Sequence, residues 1–166
     1  MTFQQSIITC FRKYFTFSGR ATRSEYWWFF LFGILGGFVA GFLEATINAA
    51  SGTPGGPTLL SGAFNIATFI PSLAVGWRRM HDTGRSGLYL FYPLIAIIGF
   101  AIFVSMFGGP EALAGDVAGF SGLFGIIVLL SITVIALSPF IVLFWLTRPS
   151  QPGQNQYGPN PQEVLT

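Results

Sequence analysis

The sequence predicts an all-α integral membrane protein: four transmembrane helices, an N-terminal interfacial amphipathic helix before them and a disordered C-terminal tail behind. Three observations carry this. Only 8% of residues are charged, against about 25% in soluble domains, too few to cover a water-exposed surface. Four apolar runs, at about 27–47, 58–77, 88–107 and 120–146, each match or exceed the ~20 residues that cross a bilayer core. Finally, all eight Lys and Arg residues fall in segments that four crossings place on one side. The expected organisation is a membrane domain over 1–149 and a Pro/Gln/Asn-rich cytoplasmic tail over 150–166.

Residues 2–15 set Phe3, Ile7, Phe11 and Tyr14 at helical spacing, with Arg12 and Lys13 between them. That pattern predicts a helix lying in the interface, apolar face down. Ser18-Gly19 reads as a turn, and Thr22-x-x-Glu25 as a capping box opening the first span. Within that span Gly33, Gly37, Gly41 and Ala45 recur at every fourth position, a strip that lets another helix approach closely. Glu44 lies near the far end, within reach of the opposite headgroups.

The stretch 48–57 is uncharged turn chemistry. In the second span Asn65 is expected to bond a neighbouring helix and Pro71 to introduce a kink. The third span opens with Tyr89 and Tyr92, and a Gly-rich loop with Glu111 and Asp116 comes after it. Span four is long enough to tilt, and Arg148-Pro149 ends it.

Between spans two and three lies Arg78-Arg79-Met80-His81-Asp82-Thr83-Gly84-Arg85-Ser86-Gly87, read as a short water-facing turn. Asp82 is expected to pair locally with Arg78, and Gly84 to supply a left-handed stop. Four spans with a cytoplasmic N-terminus put this turn, the leader and the tail on one side, with both termini cytoplasmic. Trp27, Trp28, Trp77 and Trp145 fall at the same end, as an interfacial aromatic belt requires.

Three motifs then stand out: Phe17-x-Gly19-Arg20-x-x-Arg23-x-Glu25-Tyr26-Trp27-Trp28; the central stretch; and Pro152-Gly153-x-Asn155-x-Tyr157-Gly158-Pro159-x-Pro161. Together they resemble the bacterial inner-membrane proteins grouped as domain of unknown function 805. The resemblance covers nearly the whole chain and implies a small multi-span protein of the bacterial inner membrane. It implies no activity.

The residues themselves predict no enzyme. His81 beside Asp82 invites an acid–base reading, but no substrate pocket or oriented partner is legible around it. One Cys and one His cannot build a protein-only four-ligand zinc site. No catalytic, cofactor-binding or metal residue is assigned, and no cofactor is expected. What remains is a cytoplasmic cluster of Arg20, Arg23, Glu25, Arg78, Arg79, His81, Asp82 and Arg85. Five cations beside two carboxylates repel unless counter-charge is near. Glu25 and Asp82 are therefore expected to clamp the two arginine motifs together, leaving excess positive charge facing outward. The expected function is a non-catalytic module binding anionic lipid headgroups or a partner protein. The alternative is an oligomeric small-solute transporter or channel subunit, though Asn65 is the only clearly polar residue at depth. Membrane lipids, a protein partner or further copies of the chain are the expected partners; nucleic acid is not.

Overall fold

The computed structural model describes residues 1–108 and 122–163. These are helical and form no β-sheet. The chain runs α1 (Phe3–Arg12), α2 (Arg23–Ala50), α3 (Leu59–Asp82), a short 3-10 turn (Gly87–Phe91), α4 (Tyr92–Phe107) and α5 (Gly122–Thr147). Among the described residues four helical stretches are long and apolar enough to cross a membrane: Arg23–Ala50, Leu59–Asp82, Gly87–Phe107 and Gly122–Thr147. Their surfaces carry the apolar bulk, with Phe38, Phe42, Ile66, Leu123 and Phe140 all exposed. The Gly-rich loop with Glu111 and Asp116 lies outside the described residues.

The chain forms two compact units, Met1–Gly87 with Pro149–Thr166, and Leu88–Arg148. In the second, α4 packs on α5. Phe103 stacks on Phe124 at 5.6 Å, and Tyr89 meets Trp145 edge-on at 5.2 Å. In the first, Cys10, Ala21, Phe29 and Val75 form a small core beneath Tyr26 and Phe32.

α1 opens with a capping box that the sequence reading passed over. The Thr2 hydroxyl accepts the Gln5 N–H, and the Gln5 carboxamide accepts the Thr2 N–H. The helix buries Ser6 and Cys10, its small side. Phe3 and Phe11, expected to point into lipid, lie against α2: Phe3 on Trp28 at 5.8 Å, Phe11 on Phe29 at 5.7 Å.

The α2–α3 pairing corrects the glycine strip. Gly33 and Gly41 have open space around them, Ala45 is exposed, and Gly37 makes only ordinary contact with Phe64 at 3.9 Å. Gly36 is the residue at close approach: a Cβ there would collide with the Phe64 ring. The packed face runs through Glu25, Phe29, Gly36, Ala40 and Glu44. At about 100° per residue, it lies one position round from the strip. Glu44 is also buried rather than turned to headgroups. It caps α3, accepting the Leu60 N–H at 2.7 Å and the Ser61 hydroxyl.

α3 continues helically through Pro71, which is buried. Asn65 is exposed and makes no interhelical hydrogen bond among the described residues. α3 also runs five residues beyond the predicted end of its span, taking Arg78 to Asp82 into its last turns. The water-facing turn is thus confined to the residues after Asp82, where Gly84 adopts φ +75°.

Candidate functional site

The site is built where the start of α2 lies along the end of α3. Gly19 takes φ +83°, turning the chain so that the Ala21 N–H reaches the Arg78 carbonyl at 3.1 Å. Thr22 then caps α2 by accepting the Glu25 N–H. Only this half of the expected capping box forms, because the Glu25 carboxylate turns to Arg78 instead, Oε1 to Nη1 at 2.6 Å. Asp82 likewise turns away from Arg78. Its Oδ1 takes Arg20 Nε at 2.9 Å, and its Oδ2 takes Arg79 Nη1 and the Ser150 hydroxyl. The reason is helical geometry: Arg79 at i−3 shares the Asp82 face, while Arg78 lies on the face that meets Glu25. Both carboxylates therefore bond an arginine of the other motif.

Burial is the second feature. Arg78 is 1% exposed, and Arg79 and Asp82 are fully enclosed. Ion pairs taken out of water hold only with most of their donors and acceptors satisfied. Much of that satisfaction comes from a segment expected to be disordered. Residues 150–163 fold back as a strap of turns on the first unit. Arg20 reads its backbone, donating from Nη2 to the Gln151 carbonyl at 2.6 Å and from Nη1 to the Gly153 carbonyl at 2.8 Å. The Gln151 N–H returns a bond to the Asp82 carbonyl, and Asn155 Nδ2 donates to the His81 carbonyl at 2.9 Å. Tyr157 stacks flat on the His81 ring, 3.8 Å between centroids and 2° between planes. Turn residues alone do not imply disorder when their carbonyls have a guanidinium to face.

His81 thus has structural partners on both sides, since its Nδ1 also lies 3.1 Å from the Gly19 carbonyl and donates to it. Arg85 bonds the Thr83 carbonyl. Arg23 is exposed, outside the network. The expected outward-facing excess of arginine charge is therefore smaller than counted, because Arg20, Arg78 and Arg79 are spent inside. Sequence reasoning missed Ser150, Gln151, Asn155 and Tyr157. For Asn155 and Tyr157 the signal was the third motif, Pro152 to Pro161, too specific for a mere spacer; Ser150 and Gln151 fall outside it and carried none.

Beside the network lies Cys10. Burial above all, and then the Glu25 carboxylate, push its thiol up to about 12, with Arg78 and Lys13 pulling the other way. It is a neutral packing group at physiological pH. Among the described residues no three His, Cys, Asp or Glu side chains are gathered as a metal site.

A family model described as "Protein of unknown function (DUF805)" matches residues 14–159. The chain belongs to that family. It is similar to Inner membrane protein YhaH of Escherichia coli strain K12, 39% identical over 93 residues, 56% of this chain and 75% of the relative. It is also similar to Inner membrane protein YhaI of the same strain, 32% identical over 103 residues, 62% of this chain and 82% of the relative. No solved structure matches. The DUF805 match takes in the arginine motif, the end of α3 and most of the strap, so the buried network falls inside it, whereas α1 lies outside.

Proposed function

We propose that this DUF805 chain is a non-catalytic protein of the bacterial inner membrane, both termini cytoplasmic, that binds anionic lipid through its basic cytoplasmic end. The four apolar helices and the inner-membrane relatives support the location. The split of all eight basic residues to one side supports the orientation. The observation that carries the lipid reading is the composition of the surface around α1. Ile8 and Phe15 stand exposed there, Phe15 by 74%, alongside exposed Arg12 and, at the head of α2, exposed Arg23. Large apolar groups beside unspent cations at the end of a spanning helix suit the headgroup boundary, where each cation gains about 1 kcal/mol from an anionic leaflet. α1 is read accordingly as an interfacial helix. In nanodiscs of mixed anionic and zwitterionic lipid, the wild-type chain should enrich anionic lipid around itself. Arg12→Gln with Arg23→Gln should reduce that enrichment without changing thermal stability. Equal lipid composition around both proteins counts against the reading.

A further inference from the structure

We propose that the cleft between the end of α1, the Gly19–Glu25 segment and the strap is a specific site for the phosphodiester headgroup of an anionic phospholipid, with Lys13 as the selecting charge. This rests on the lipid reading above and gives it a place. The cleft holds about 390 Å³ and is walled by Lys13, Thr22, Glu25, Tyr157, Pro159 and Pro161, among others. Its size falls in the range of pockets that take a small ligand group.

Charge balance says what kind of group. Behind the cleft wall, to which Arg20 and Glu25 belong, three guanidinium groups (Arg20, Arg78, Arg79) face two carboxylates (Glu25, Asp82), leaving one positive charge over among the buried groups. Nε and Nη2 of Arg78 are buried without a hydrogen-bond partner. The neutral Cys10 thiol beside Arg78 is too weak an acceptor to replace one. Glu163 also acts on Arg20, from an exposed position where it accepts the Gly153 N–H and the Asn160 side chain, so the positive excess beside the cleft comes from the cations around the network. Two further charges, Lys13 and Arg23, act on this region, and both are positive. Glu25 on the cleft wall is matched by Arg78. Lys13 lines the cleft together with the N-terminal Met1 and joins none of the three ion pairs, so its ammonium is a charge an incoming anion meets. A cation or a neutral headgroup relieves none of this excess.

Lipid is favoured over free phosphate by what surrounds the polar wall. Most of the cleft lining is apolar, including Tyr157, Pro159 and Pro161, and exposed Trp28 and Phe30 continue α2 away from it toward the bilayer. Because those three lining residues belong to the strap, the site exists only with the strap docked. Headgroup binding and strap docking are therefore coupled, each stabilising the other.

The test uses the full chain purified in a zwitterionic detergent and native mass spectrometry. The probes are phosphatidylglycerol, phosphatidylcholine and inorganic phosphate, each added alone and in competition. Wild type should retain one phosphatidylglycerol in preference to phosphatidylcholine, and excess inorganic phosphate should not displace it. Lys13→Gln, a partly exposed position away from the core, should weaken retention about fivefold, and Lys13→Arg should restore it. Tyr157→Ala should weaken it too, although that side chain carries no charge, and phosphatidylglycerol should lower hydrogen exchange in 150–161 of wild type. Displacement by inorganic phosphate would overturn the lipid assignment. Preference kept unchanged by both Lys13→Gln and Tyr157→Ala would overturn the cleft while leaving the broader lipid reading standing. No preference in wild type would overturn both.

Discussion

Arg20 shows how much one side chain holds together here. Its guanidinium serves the Asp82 carboxylate and the carbonyls of Gln151, Gly153 and Gly158, tying three separate stretches of chain. A lysine has neither the fork nor the number of donors for this. Arg20→Gln should leave Asp82 buried with less counter-charge and cost about 3–5 kcal/mol, read as a lowered melting temperature in detergent. Arg20→Lys should recover little of it. Cys10 gives a second residue-level expectation. With its thiol pushed up to about 12 by burial, it should resist alkylation near neutral pH and react only after denaturation. Rapid labelling of the folded chain would contradict that burial. Glu163 gives a pH dependence. The Gly153 N–H and the Asn160 amide hold its carboxyl below the ordinary value of 4.5. A folded value below the unfolded one means the stabilisation is present above the ordinary range and lost as pH falls through the folded value. Protection of the Gly153 amide, its exchange rate corrected for the intrinsic pH dependence, should therefore fall on acidification below that range, and less so in Glu163→Gln.

At the scale of elements, the informative contrast is between neighbouring glycines on α2. Gly36 faces Phe64 with no room for a side chain, while Gly41 faces open space. Gly36→Leu should force α2 from α3 and cost about 1–3 kcal/mol by overpacking, whereas Gly41→Leu should leave the monomer's melting temperature unchanged. Equal effects would mean that the packed face has been misplaced. Gly87 is a comparable point at the other end of α3, since a Cβ there would run into the Trp77 ring. α3 itself outlasts its apolar run because the charges that would ordinarily end a span in water are paired, Arg78 to Glu25 across on α2 and Arg79 to Asp82 within the helix.

For the whole molecule, the proposed orientation makes a direct demand. Tags at both ends should report the cytoplasm, and a cysteine at Gly55, between α2 and α3, should be labelled from outside the cell. The unreactive Cys10 leaves that measurement unconfounded. Labelling of position 55 from the cytoplasm alone would reverse the topology. The strap adds a constraint on any tag placed behind it: residues 150–163 belong to the folded unit, so deleting them removes part of the cluster's hydrogen bonding as well as a tail.

Much of the architecture was legible in the residues themselves. Apolar runs of bilayer length must become helices there, because backbone amides have no other partner in hydrocarbon, and the eight basic residues all fall in segments that the proposed orientation puts on the cytoplasmic side. The opposition of Glu25 and Asp82 to the arginines was equally readable, since charge balance depends on composition and rough position. Which partner each takes was not. Whether Asp82 meets Arg78 or Arg79, and whether Gly36 or Gly37 takes the close approach of Phe64, turns on about 100° of helix rotation, which only the packing of α2 on α3 sets. The strap went unread for a related reason. Its turns lack apolar periodicity, and what holds them is a guanidinium more than a hundred residues away, Arg20 to Gln151 and Gly153. Such a contact exists only after the chain has folded back, so tertiary structure decided it.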